Sequence, residues 1–202
     1  TDQADGYARG EGCGAVVIRQ KSSLTTEKVY AWIKGTSVVQ DGRTVNLTSP
    51  NGPSQEAVLT KSLDLAGLSA ADICFHEAHG TGTALGDPIE IGALANVHEG
   101  RESKLWVGAA KTNVGHLEPA AGIVGLLKTI LVLQKRQVPK NVHLGSLESL
   151  NPMLTPHTNI VDFPLDTIDL PENGPLYVSC SSFGFGGTNS HVVLESSDDT
   201  PE

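Results

Sequence analysis

The sequence predicts an α/β fold in which a mostly parallel sheet carries helices on both faces. Three observations lead there. Strand, loop and helix patterns alternate from residue 54 to residue 143, the signature of βαβ units and a parallel sheet. Ile123, Leu126, Leu127, Ile130, Leu131 and Leu133 keep the spacing of one face of a long helix. A chain of 202 residues with 39% hydrophobic and 18% charged side chains can bury a core, as one large domain or two small ones.

Taken in order, residues 14–19 (GAVVIR) and 30–39 (YAWIKGTSVV) carry strand-forming residues around the polar turn SSLTTEK, which predicts a hairpin-like pair. After the loop NLTSPNGPS, Ser54 is placed to cap a helix with Glu56 in its first turn, running through Val58, Leu59 and Leu63 to Gly67. A strand is expected over 72–76, then the loop EAHGTGTALG. Asp87-Pro88-Ile89-Glu90 has the capping-box pattern with Pro at the first helical position, opening a helix to about His98. A strand over 105–109 leads into KTNVGH and the long helix, about 117–135, which is expected to be buried with Pro119 in its first turn. Gly122 and Gly125 cost that helix up to about 1 kcal/mol each relative to Ala, so close packing is their expected purpose. A strand over 137–143, a Pro-rich irregular stretch and two strands over 176–181 and 191–195 complete the chain.

Lys and Arg total 14 against 23 Asp and Glu, and the resulting charge of −9 repels phosphate backbones, which argues against nucleic acid as a partner. The aliphatic stretch from Ile123 ends at Lys128, far short of the ~20 apolar residues of a membrane span. No secretion signal opens the chain, and three cysteines cannot all pair within it, so a reducing, cytoplasmic location is expected. The start without Met and the acidic tail SSDDTPE suggest part of something larger, with one unit over 1–195 and a linker beginning at 196–202.

Glycine supplies 22 residues, about 11% against a usual ~7%, and clusters in a few loops, where backbone is brought close to something. Ligands of parallel sheets sit beyond the carboxyl ends of strands, and EAHGTGT and KTNVGH both fall there. If a right-handed crossover makes their strands neighbours, His79 and His116 meet in space. With Lys111 they form a cluster of donors suited to developing negative charge. A third loop, SSFGFGGTNSH, could offer N–H groups at Gly184, Gly186 and Gly187. By themselves Thr81 and Thr83 fit turn closure equally well, and Phe183 and Phe185 fit a core.

EAHGTGTALGDPIE, KTNVGHLEPAAG, SSFGFGGTNSHVVLE and the opening ADGYARGEGCG together resemble the C-terminal half of a β-ketoacyl synthase, the condensing domain of polyketide and fatty acid synthases. The resemblance runs from about Ala4 to Glu195, and GTGT followed by LGDPIE is closest to the type I polyketide synthase kind. It implies a thiolase-like fold, present as one half of a layered αβαβα architecture. It also implies decarboxylative Claisen condensation of an acyl thioester with a malonyl-type unit. On it, His79 and His116 are the catalytic pair that activates the malonyl thioester, and Lys111 organises them. Thr81 and Thr83 contact the phosphopantetheine arm, Phe185 gates the acyl site and its backbone N–H helps form the oxyanion hole for acyl transfer, and Phe183, Gly186 and Asn189 belong to the same substrate site. No cofactor is bound directly, phosphopantetheine arriving on an acyl carrier protein. The other implied partners are the N-terminal half of the domain and a second copy in a homodimer, and no metal is implied.

Two departures stand out. Discrete bacterial members of the family carry a glutamate where this chain has Gly125, so its role is absent or moved to Glu118. The nucleophilic cysteine of the family belongs before Thr1, and the fragment alone is expected to be inactive. Cys13 and Cys74 read as small buried hydrophobes, and Cys180 lies in the C-terminal strand and gate motif. Rival readings are weaker. GTGTALGDP lacks the Gly-Lys-Ser/Thr of a phosphate loop, strand alternation splits Cys74, His76 and His79 as zinc ligands, and the thiolases proper have other glycine patterns. A condensing-type module that binds carrier protein or only decarboxylates, and a fatty acid synthase domain, are the alternatives within the family.

Overall fold

The computed structural model describes residues 1–20, 28–43 and 49–197. The elements are β1 (Ala31–Gln40), α1 (Gly52–Ala66), β2 (Ile73–Glu77), α2 (Gly86–Val97), β3 (Leu105–Gly108), α3 (Lys111–Val114) and α4 (Ala121–Lys135), then β4 (Gln137–Val138), β5 (Val161–Asp162), β6 (Ile168–Asp169), β7 (Tyr177–Phe183) and β8 (Thr188–Ser196). Six strands form one mixed sheet in the order β1-β8-β7-β2-β3-β5. The ladders from β7 through β2 and β3 to β5 are parallel, and β1, β8 and β7 pair antiparallel. Strands β4 and β6 make a separate antiparallel pair.

Helices cover both faces, as the alternation predicts. On one side α1 and α2 enclose Leu59, Leu63, Ile73, Ile91, Leu94, Val107 and Val193. On the other α4 closes a second core of Phe75, Val132, Leu133, Val178 and Leu194. A register shift between Ile73 and Phe75 resets the alternation of β2. Phe75 thereby joins the α4 side, His76 points toward α1 and α2, and Glu77 returns to α4. Close approach has a glycine origin at β1, because a Cβ on Gly35 would lie 2.2 Å from the Ser62 carbonyl oxygen of α1.

Several expectations need correction. Residues 14–19 form no strand; Val17 and Ile18 are 91% and 69% exposed, and β1 pairs with β8 instead. Strand-forming side chains need a ladder partner, and local propensity cannot name it. The turn expected over 22–28 lies outside the described residues except for its last, as do residues 46–48 of the next loop and 198–202 of the tail. The cap of α1 is Asn51, whose Oδ1 accepts from the Ser54 N–H at 3.3 Å. The expected end is correct, with Gly67 at φ 67°. The strand over 137–143 shrinks to Gln137–Val138 because Pro139 has no N–H to donate. Cys13 is exposed, Cys74 half-buried and Cys180 buried.

The long helix also differs from expectation. A 3₁₀ turn, Glu118–Ala120, precedes it, and only Gly125, Thr129, Val132 and Leu133 of α4 are fully buried. One sheet covers one side of a helix, and Leu131 on the opposite side is 55% exposed. The glycines do serve packing. A Cβ on Gly122 would lie 3.0 Å from Ser182 Oγ, and one on Gly125 would lie 3.0 Å from Cys180 Sγ and 3.4 Å from Glu77 Cγ.

Candidate active site

Strands β7, β2 and β3 are parallel neighbours, so the loops leaving their carboxyl ends emerge together. The loop after β2 carries His79, the segment after β3 carries Lys111 and His116, and β7 ends at Phe183. The two imidazoles meet edge to face with ring centroids 5.4 Å apart, and the Phe183 ring lies 5.8 Å from His79. Lys111 Nζ sits 3.3 Å from His79 Nδ1 and also donates to the His79 carbonyl oxygen.

These contacts assign the tautomers. The Glu118 N–H donates to His116 Nδ1 at 2.9 Å, so that nitrogen is an acceptor and the proton sits on Nε2. Lysine is a donor only, and the same logic puts the His79 proton on Nε2. Burial, with Lys111 and then His116 adding to it, drops His79 to about 3. Burial and Lys111 lower His116 as well, with Glu118 opposing them. Both rings are therefore neutral N–H donors at pH 7. In protein labelled with ¹⁵N-histidine, His79 is expected to show no titration near 6.5 and the shift pattern of an Nε2–H tautomer between pH 5.5 and 8. A midpoint near 6.5 for His79 contradicts this assignment. Burial lowers Lys111 too, while Glu90 and Glu77 counter it.

The opening segment is part of the site, which the sequence reading did not assign. Residues 8–10 run beside the second histidine: the His116 N–H donates to the Ala8 carbonyl at 2.8 Å, and the Gly10 N–H donates to the His116 carbonyl at 3.0 Å. The Tyr7 ring lies 4.5 Å from that of His116. Glycine is required here, since a Cβ on Gly10 would stand 2.2 Å from the Val114 carbonyl oxygen. The signal was legible in ARGEG, whose glycines mark close backbone approach.

Asp87 and Glu90 do not form the expected capping box. Asp87 Oδ1 accepts from the Gly82 N–H at 2.9 Å, and Glu90 accepts from the N–H groups of His79 and Gly80 at 2.7 and 2.8 Å. Both carboxylates thus hold the histidine loop, and Thr83 Oγ1 accepts the Gly86 N–H at 3.0 Å in their place. Thr81 lines a cavity of about 460 Å³ with Tyr7, Lys111, His116 and Glu90, over an apolar floor that includes Ile91, Val107, Leu154 and Phe163.

The glycine hairpin departs from the expectation at Gly184 and Gly187. The N–H groups of Gly184 and Gly187 are used within the hairpin, on Thr188 and Gly184, which leaves those of Phe185 and Gly186 to offer an oxyanion. Phe185 is 74% exposed, and it is Phe183 that packs on His79. The Gly186 carbonyl accepts from Gln40 Nε2, and the Asn189 amide is spent on Asp41 Oδ1 at 2.6 Å, anchoring the hairpin to the end of β1.

The carboxylate beside Gly125 is Glu77, and Glu118 forms an exposed ion pair with Arg9 at 2.9 Å. Glu77 Oε1 accepts the Ala110 N–H, and its Oε2 pairs with Lys128 Nζ at 2.7 Å. Cys74, His76 and His79 do not converge. Cys74 Sγ contacts the Tyr177 carbonyl, and His76 bonds Ser179 Oγ and stacks on His191.

Residues 30–145 match the family model described as β-ketoacyl synthase, C-terminal domain. A partially reducing polyketide synthase of Menisporopsis theobromae is 43% identical, the match covering 96% of this chain and 8% of that protein. A phenolphthiocerol/phthiocerol polyketide synthase of Mycobacterium tuberculosis is 42% identical, over 97% of this chain and 9% of the matched polypeptide. The chain therefore spans less than a tenth of these relatives. Among solved structures, an oxazolomycin ketosynthase domain from Streptomyces albus superposes with a TM-score of 0.91 at 32% identity, over 100% of this chain and 36% of that one. The ketosynthase from module 1 of the bacillaene synthase of Bacillus amyloliquefaciens gives 0.78 at 33% identity, over 86% and 33%. The thiolase-like fold, the adjoining histidine loops and the family match agree, and the chain belongs to the β-ketoacyl synthase family, as the C-terminal part of a ketosynthase domain of the polyketide synthase type.

Proposed function

We propose that the complete domain catalyses decarboxylative Claisen condensation and that His79 and His116 activate the malonyl thioester. The observation carrying this reading is the pair of neutral imidazoles 5.4 Å apart, each with Nδ1 occupied and Nε2–H free to donate. As the bond between the carboxylate and Cα breaks, CO₂ leaves and its electron pair moves into an enolate, whose oxygen the two Nε2–H groups stabilise. The enolate Cα then attacks the acyl thioester carbonyl, and the acyl C–S bond breaks to release a cysteine thiolate. Lys111 orients His79, and Phe185 and Gly186 offer N–H groups to the acyl oxyanion. Thr81, Thr83 and Asn189 complete the substrate site in this reading, Asn189 by fixing the hairpin.

The acyl nucleophile is proposed to be a cysteine preceding Thr1. Burial raises Cys74 to about 11 and Cys180 to about 12, so neither is a thiolate at pH 7, and Cys13 is exposed. Condensation by this chain alone is accordingly not expected. An acyl carrier protein bearing phosphopantetheine is the proposed substrate partner, and the N-terminal half of the domain is proposed to cover the open side of α4, with homodimers formed through it. Among the described residues no helix is long and apolar enough to cross a membrane. The free cysteines fit the reducing, cytoplasmic setting we propose.

The test is to expose the full-length protein to an acyl thioester and map the adduct by mass. An adduct on a cysteine before Thr1, followed by CO₂ release and chain extension when malonyl carrier protein is added, is the expected result. CO₂ release with no adduct instead identifies a module that only decarboxylates.

A further inference from the structure

The ladder between β3 and β5 covers only Leu105 and Trp106, and among the described residues no strand pairs with that edge of β3 farther on. The chain runs from there to Lys111, so slack at this edge reaches the lysine behind His79. Asn141, which follows β4, fills the gap. Its Nδ2 donates to the Val107 carbonyl at 2.9 Å, and its Oδ1 accepts from the Ala109 N–H at 3.1 Å. A residue in a parallel ladder does the same, donating to residue i−1 of its neighbour and accepting from residue i+1. The side-chain amide of Asn141 therefore stands where a strand residue opposite Gly108 would stand. On the other side the Gly108 carbonyl accepts the Ala78 N–H at 2.8 Å, so the end of β3 is held from both edges. Asn141 is itself fixed. It is 8% exposed, its N–H donates to the Pro164 carbonyl at 2.9 Å, and its carbonyl accepts the Leu144 N–H at 3.3 Å.

We propose that Asn141 is a positioning residue whose amide extends the sheet by one pair and so sets where Lys111 meets His79; this rests on the decarboxylation reading. Ala109 is the pivot. Its N–H is spent on Asn141, while its carbonyl accepts from the Thr112 N–H and Oγ1 at 3.1 and 2.8 Å as α3 begins. The next N–H, that of Ala110, donates to Glu77, and the next side chain, Lys111, donates to the His79 carbonyl and Nδ1. The histidine loop also passes close by, since a Cβ on Gly80 would lie 2.8 Å from that of Ala109. The role calls for a primary amide of this length. Aspartate turns a second acceptor toward the Val107 carbonyl, alanine leaves both backbone groups without a partner, and glutamine is one methylene too long.

The experiment compares N141D with wild type in the full-length protein, following CO₂ release from a malonyl carrier protein. A misplacement of about 1 Å costs up to about 100-fold, so N141D is expected to lose about 10–100-fold in kcat with KM within about twofold. In a Lys111→Ala background N141D is expected to change kcat by less than about twofold, because the side chain it places is gone. Equal losses in both backgrounds overturn the proposal, since they mean that Asn141 does not act through Lys111. In protein labelled with ¹⁵N-histidine, N141D should turn the Nε2–H pattern of His79 into a mixture with Nδ1–H, and an unchanged pattern overturns the proposal. Wild type supplies a reading that no misfolded variant can spoil. Its Ala109 amide should exchange hydrogen within about tenfold of the Ala78 amide, although no strand pairs there, and exchange at the rate of an open loop overturns the ladder. If wild type releases no CO₂ while the His79 pattern and the Ala109 amide behave as expected, the decarboxylation reading fails and the role of Asn141 stands.

Discussion

Replacing His79 or His116 with alanine is expected to lower CO₂ release from the malonyl carrier protein by about 10²–10³-fold each, while the melting temperature of the full-length protein stays within a few degrees of wild type. The magnitude is that of removing one preorganised donor from an oxyanion site. Both rings donate through Nε2 because both Nδ1 atoms are occupied, His79 by Lys111 and His116 by the Glu118 N–H. Two donors to one oxygen act as a unit, so the double variant should lose less than the product of the single losses. Stability should survive because neither ring belongs to either apolar core; His79 is half-buried, and His116, though buried, packs on the rings of Tyr7 and His79 and lines the cavity. The check is single-turnover CO₂ release together with a thermal melt of each variant. Full activity in either variant would falsify the assignment of that histidine, and loss of the fold would make the role structural.

The parts of this arrangement that were legible in the sequence are those set by local pattern. Period-3.6 apolar spacing located α4, and the alternation of strand and helix put His79 and His116 at adjoining strand ends. What escaped depends on partners distant in sequence. Residues 14–19 have strand composition but no ladder, and β1 took β8, some 150 residues away, as its neighbour. Asp87 and Glu90 look like a capping box because an acidic group near a helix start accepts N–H bonds from whichever donors lie closest. Here those donors belong to the preceding glycine loop and not to α2 itself. Gly184 and Gly187 were expected to face an oxyanion, but closing a tight hairpin consumes their N–H groups first. The Glu77 and Lys128 contact was also hidden, because only the register shift in β2 turns Glu77 toward α4.

That contact carries the largest expected effect on stability. Glu77 and Lys128 have side chains 1% and 15% exposed, with Oε2 and Nζ 2.7 Å apart. Lys128→Met is expected to cost about 3–5 kcal/mol, because it leaves a buried carboxylate with no countercharge. Adding Glu77→Gln should recover a large part of that loss, since a neutral pair of similar size removes the stranded charge; a double variant as unstable as Lys128→Met alone refutes the account. The pH dependence gives an independent sign. Burial already holds Glu77 above its ordinary range, and Lys128 pulls it part of the way down. Without the lysine the folded-state value rises further, so between the unfolded value near 4.5 and the new folded value the native state binds more protons than the unfolded one. Stability of Lys128→Met must then fall as pH rises through that window, and the variant should be closest to wild type at its acid end. Urea midpoints taken across the pH range measure this directly. The Ala110 N–H, one residue before Lys111, rests on the same carboxylate, so the ion pair that holds the sheet to α4 also sets where the lysine behind His79 begins.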